Sequence, residues 1–148
     1  MSHSYACNRV HIVFSTKARA NQIPSDLQPR LWAYFASIGR NHGIPVLRAG
    51  GTANHLHALI ILPSTMPLAK AVQLLKGSSS KWMNDTIRNN FAWQEGYGAF
   101  AVSTSQAQQV IAYIDNQNQH HANRTFDVEF IELLKKNGVA FDPEYVFG

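Results

Sequence analysis

The chain of 148 residues carries 13 Lys and Arg against 9 Asp and Glu, for a formal net charge of +4, and 45% of its residues are hydrophobic. Such a chain can bury one sizeable core, so a single domain spanning 1–148 is expected. The lone Cys7 excludes an internal disulfide framework and a Cys-rich zinc cage, and no apolar run reaches the roughly 18 residues of a membrane span.

The opening MSHSYACNRV lacks the positive-then-apolar pattern of a secretory leader, so a cytoplasmic address is the expectation. The segment 9–16, RVHIVFST, alternates and is β-branched, which predicts a first strand ending at Lys17-Ala18-Arg19. Ser25 is a plausible N-cap for a helix running to about Asn41, with Leu27, Leu31, Tyr34, Phe35 and Ile38 at helical spacing. A short strand over 44–48, a turn at Gly50-Gly51 and a strand over 54–62 follow, the last stopped by Pro63. Pro67 fits the start of a second helix with an apolar face of Leu68, Val72, Leu75 and Trp82, and Gly77-Ser78-Ser79-Ser80 is its weak spot. The irregular aromatic stretch 91–98 leads to a strand over 99–103, a helix over 106–121 and a helix over 126–136. The order β-α-β-β-α-β-α-α predicts an α+β domain with helices against a mostly antiparallel sheet, its first six elements matching the ferredoxin-like arrangement.

Residues 1–90 hold ten basic side chains against Asp26 and Asp85, whereas 91–148 hold three basic and seven acidic ones. This asymmetry points to a polyanion on the surface that the first part forms. The run from Lys76 to Trp82 joins two cations, three hydroxyls and an indole, which makes Lys76, Ser79 and Lys81 candidate phosphate contacts. Lys17 and Arg19 extend the same candidate surface.

His55 and His57 lie two apart on an apolar strand, HLHALIIL, so both imidazoles leave the same face and can clamp one divalent cation. Gln117, His120 and His121 are candidate third ligands. In VIAYIDNQNQHH, Tyr113 and Gln117 stand four apart on one helix face. A phenol with a pKa near ~10 needs help to attack at neutral pH, and a cation that organises a phosphate supplies it. A clamp plus a presented phenol therefore suggests tyrosine-nucleophile phosphoryl transfer. No Walker-type GK[ST] loop and no G-x-S-x-G elbow competes with it.

These segments together resemble the single-tyrosine HUH transposases of the 200/605 insertion-sequence group, in which HUH denotes His-hydrophobic-His. The matching stretches are VHIVFSTK, GGTANHLHALIILP, LLKGSSSKW, WQEGYGAFAVS, VIAYIDNQNQHH and the tail FDVEFIELLKKNGVAFDPEYVFG, covering about 8–148. The resemblance implies an HUH endonuclease core, a nucleophile at Tyr113 and Mg²⁺ or Mn²⁺ held by His55, His57 and Gln117. It implies single-stranded DNA with hairpin ends, cut to leave a 5′-phosphotyrosine and a free 3′-hydroxyl. It further implies a homodimer whose subunits can share active sites, in a DNA-associated bacterial or archaeal setting. Many relatives carry an acidic residue before the first histidine, where this chain has Asn54. The rival expectations are a domesticated, repeat-associated tyrosine transposase and a non-catalytic ferredoxin-like nucleic-acid-binding module.

Overall fold

Alternation along the strands divides the molecule into two layers. In the computed structural model, which describes residues 4–88 and 90–148, β1 is Asn8–Ser15, β2 Val46–Gly51, β3 His55–Leu62 and β4 Gly98–Ala101. They form one antiparallel sheet in the order β2-β3-β1-β4. The helices are α1 Gln28–Asn41, α2 Leu68–Ile87, α3 Ala107–Asp115, α4 Gln117–His120 and α5 Phe126–Lys136. This is the α+β, ferredoxin-like order expected from the sequence. No helix among the described residues is long and apolar enough to cross a membrane.

Ile12, Phe14, Leu56, Ala58 and Ile60 leave one face of the sheet and pack with Leu31, Phe35 and Ile38 of α1 and Val72 and Leu75 of α2. The residues in between, Val13 and Phe100 among them, leave the other face and meet Phe126, Phe130 and Leu134 of α5 in a smaller core. His55 and His57 share that second face, because side chains two apart on a strand point the same way. The larger core thus anchors the sheet from behind, and the histidines lie under the C-terminal helices.

Four local expectations change, each for a packing reason. Gly50 and Gly51 belong to β2 rather than to a turn; a Cβ on Gly50 would sit 2.7 Å from the Ile114 carbonyl oxygen, so glycine lets α3 approach the strand. Ser25 caps nothing, and α1 begins later, with a proline in its first turn. α2 runs unbroken through 77–80, because Ser79 Oγ donates to the Leu75 carbonyl and accepts from Trp93 Nε1–H, which docks the helix on the 91–97 segment. The helix expected over 106–121 breaks at Asn116, which separates α3 from α4.

Candidate active site

β3 delivers His55 and His57 to the sheet face beneath α3–α5, and both are fully buried. A third imidazole joins them from the neighbouring strand. His11 sits opposite Leu59 in the β1–β3 register, hence diagonal to His57, and its Nε2 lies 2.8 Å from His57 Nδ1. Burial first, and the adjacent His57 second, push the His11 pKa down to about 3, and the same two causes do so for His55. Both rings are therefore neutral at pH 7.

The break at Asn116 turns α4 so that Tyr113 and Gln117, four residues apart, both face the histidines. Gln117 Oε1 lies 2.8 Å from His55 Nε2, and the Tyr113 ring centroid lies 5.6 Å from that of His57. His120 stacks on the phenol at 4.6 Å, and His121 packs against His55 at 4.4 Å between ring centroids. Phenol and imidazoles thus come together within one chain.

Glu129 stands where all of these groups converge. Its helix, α5, is N-capped by Thr125, and the carboxylate lies in the first turn, where the helix dipole favours an anion. His57 Nε2–H and His121 Nε2–H each donate to Oε1 at 3.0 Å, and Gln117 Nε2–H donates to Oε2 at 3.2 Å. The Tyr113 hydroxyl also donates to Oε2, and Arg124 Nη2 lies 3.9 Å away. Burial alone would raise the Glu129 pKa, but the bonds from His121, His57 and Tyr113 hold it well below the carboxylate range. Conversely, burial and then the Glu129 carboxylate raise the Tyr113 pKa above that of a free phenol, opposed by Arg124, whose Nη2 donates to the hydroxyl at 3.0 Å.

Counting protons shows why a cation fits here. Neutral His55 has one ring proton; Asn54 Oδ1 at 2.9 Å and Thr52 Oγ1 at 3.0 Å both face Nδ1, and with the proton on that nitrogen Nε2 keeps a lone pair. The Nε2 lone pair then faces Gln117 Oε1 at 2.8 Å and Glu129 Oε1 at 3.5 Å with no proton between them. His55 Nε2, Gln117 Oε1 and Glu129 Oε1 are of the kind that can hold a divalent cation. Ligand atoms of His55, His121 and Glu129 lie within 4.8 Å of one another, and His57 Nε2 borders the same carboxylate oxygen. His57 would present a lone pair there if its ring proton moved to Nδ1, where His11 Nε2 can accept it.

Of the residues named from sequence, the structure gathers Tyr113, His55, His57 and Gln117 around one carboxylate. The candidate DNA contacts are scattered, and Ser79 and Lys76 are committed within the fold. Ser79 is fully buried with its hydroxyl committed inside the fold, so it has no surface to offer a strand. Lys76 Nζ donates to the carbonyls of Gln94 (2.5 Å), Glu95 (3.2 Å) and Gly96 (2.9 Å), and burial pushes its pKa down to about 8; it ties α2 to the 91–97 segment. Arg19 pairs with Asp127 at 2.9 Å and covers the Phe147 ring. Lys17 is exposed, and Lys81, also exposed, pairs with Asp85 one helical turn away. Trp82 stacks on Tyr34 with ring centroids 4.9 Å apart, and the Arg30 guanidinium lies 5.7 Å from the Trp82 ring centroid.

Sequence reasoning missed Glu129, His11 and Arg124. For Glu129 a signal was present: it lies three residues after Phe126 and next to Phe130, on the buried stripe of α5 rather than with the exposed Glu132. His11 carried none, since its meaning depends on which strand lies beside β1.

The sequence profile described as Transposase IS200 like matches residues 4–117. No curated protein sequence matches the chain. A candidate transposase from Deinococcus radiodurans R1 superposes with a TM-score of 0.63 at 20% identity, over 79% of this chain and 96% of that one. A REP-associated tyrosine transposase solved with a REP hairpin superposes with a TM-score of 0.59 at 14% identity, over 82% of this chain and 73% of that one.

Proposed function

The chain belongs to the IS200-like transposase family, and we propose that it cuts and rejoins single-stranded DNA through a phosphotyrosine at Tyr113. The observation that carries this reading is the convergence of Tyr113, His55, His57 and Gln117 on Glu129. A nucleophile and a cation site meet there in a buried pocket.

In this reading the Tyr113 oxygen attacks the scissile phosphorus. The new bond is Oη–P; the bond that breaks is P–O3′, releasing a 3′-hydroxyl and leaving a 5′-phosphotyrosine. One diester replaces another, so the reverse attack by a 3′-hydroxyl rejoins a strand without a nucleotide cofactor. A divalent cation, Mg²⁺ or Mn²⁺, held by His55, Gln117 and Glu129, with His121 and His57 joining when their ring protons sit on Nδ1, would draw charge from the phosphate during attack. Glu129 Oε2 fixes the phenol by accepting its hydrogen bond; the proton the phenol gives up passes to water, and the leaving 3′-oxygen takes one up from water. Arg124, at the same hydroxyl, favours the phenolate. With the His55 ring proton on Nδ1, Asn54 Oδ1 accepts it and leaves Nε2 for the cation. Lys17, Lys81 and the basic surface of the first ninety residues would track the strand electrostatically.

The test is a denaturing gel after incubation with hairpin-bearing single-stranded DNA and Mg²⁺. Wild type should leave a covalent protein–DNA adduct, and Tyr113→Phe should leave none while retaining affinity. Binding without any adduct in wild type would identify a non-catalytic nucleic-acid module instead. The superposition with the REP-associated transposase supports hairpin-flanked DNA as the substrate class, whether the gene is mobile or serves its host.

A further inference from the structure

The cluster holds more imidazoles than a clamp for a hard cation needs. His55 and His57 come from β3, and His121, just past α4, adds a third. Their Nε2 atoms border a single carboxylate oxygen, Glu129 Oε1, at 3.5, 3.0 and 3.0 Å. The other oxygen, Oε2, is committed to the Tyr113 hydroxyl and to Gln117 Nε2–H. Oε1 and three ring nitrogens thus make a set of four donors, with the phenol just outside it.

Donors of this kind match zinc. Neighbouring ligands of a tetrahedral zinc stand roughly 3.3 Å apart, and each of the three N···O distances lies within about 0.3 Å of that. Imidazole suits zinc, whereas carboxylate, carbonyl and water suit magnesium. His57 Nε2 is free to ligate once its proton sits on Nδ1, where His11 Nε2 lies 2.8 Å away as the acceptor. The two ions would use the cluster differently. Mg²⁺ is six-coordinate, so the five donor side chains here leave it a position for a phosphate oxygen. A four-coordinate zinc on His55, His57, His121 and Glu129 has none left. His121 also gives access: its side chain is 11% exposed and lines a cavity of about 620 Å³ between the segment before α1 and the α4–α5 connection.

We propose that His55, His57, His121 and Glu129 form a closed zinc site whose occupation reversibly shuts off strand transfer. The consequence rests on the transferase reading above; the site itself rests on the four donors alone. With zinc bound, the phenol stays hydrogen-bonded to Glu129 Oε2 and has no polarised phosphate to attack.

The test uses the full chain without DNA, with Co²⁺ as an optical stand-in for zinc and Zn²⁺ itself in competition against it. Wild type should show the intense visible absorption of four-coordinate Co²⁺, and one equivalent of Zn²⁺ should abolish it. His121→Ala should lose that absorption and bind Zn²⁺ at least about 100-fold more weakly, the upper end of what a merely supporting residue costs. His120→Ala should keep both, because its imidazole stacks on the phenol and makes no hydrogen bond to Glu129. A thermal melt checks that each variant folds, and His121→Asn, which keeps a polar side chain, should repeat the loss. A weak, six-coordinate spectrum in wild type overturns the proposal, as does an intense one that survives loss of His121. In the adduct assay with Mg²⁺, one equivalent of Zn²⁺ should suppress the Tyr113 adduct, and a zinc-selective chelator should restore it. An adduct undiminished with zinc bound overturns the inhibitory role. Absence of any adduct with Mg²⁺ alone would instead sink the transferase reading, on which the cobalt spectrum does not depend.

Discussion

Replacing Glu129 with alanine removes the acceptor at which four side chains meet. His57, His121 and Gln117 lose N–H···O bonds of 3.0, 3.0 and 3.2 Å to a carboxylate, and Tyr113 loses its partner. Each such charge-assisted bond contributes roughly 1.5–3 kcal/mol, offset by the desolvation of Glu129 itself, so the sum far overstates the net effect. Breaking a buried charged network of this kind costs about 3–5 kcal/mol. For a chain of this length that lowers the melting temperature by about 10 °C. The pH dependence gives an independent check. The folded-state pKa of Glu129 lies below its ordinary value of 4.5, so its contribution is complete above that pH and fades as pH falls below it. Urea denaturation of wild type and Glu129→Ala, followed by circular dichroism at pH 7.5 and pH 3.5, reads both effects. A difference under about 1 kcal/mol at pH 7.5, or one that grows on acidification, would refute the reasoning and mean that water satisfies these donors as well as the carboxylate does.

Three further outcomes follow from the same geometry. His11 and His55 stay neutral in the fold down to about pH 3, whereas an ordinary imidazole takes up its proton near 6.5. Stability should therefore fall as pH drops from 6.5 toward 3, by up to about 1.4 kcal/mol per pH unit for each ring; urea midpoints that stay flat across that window would contradict it. His11→Ala should weaken Mn²⁺ binding measured by calorimetry about 10–100-fold, because His57 loses the neighbour that fixes its ring proton, and His11→Gln should restore part of it. Lys76→Met should cost about 2 kcal/mol in urea denaturation while leaving the salt dependence of DNA binding unchanged, since its ammonium is spent on three backbone carbonyls. A shallower salt slope in that variant would put Lys76 on the strand after all.

The sequence by itself determined the features that depend on near neighbours. Alternation marked β1, a continuous apolar run marked β3, the two-residue spacing placed His55 and His57 on one face, and four-residue spacing paired Tyr113 with Gln117. The element order followed from the same periodicities. Tertiary structure decided the rest. Gly50 and Gly51 read as a turn until α3 is known to press on β2, and the serine run of α2 reads as a weak spot until Trp93 is seen to bond Ser79. Lys76 and Ser79 looked available to DNA because nothing local reveals that the 91–97 segment covers them. Glu129 and His11 reach the cluster only through the docking of α5 and the register of β1 against β3, contacts between residues far apart in the chain. Local spacing fixes which way a side chain leaves its own helix or strand; what it meets there is set by long-range packing, in which each surface depends on every other.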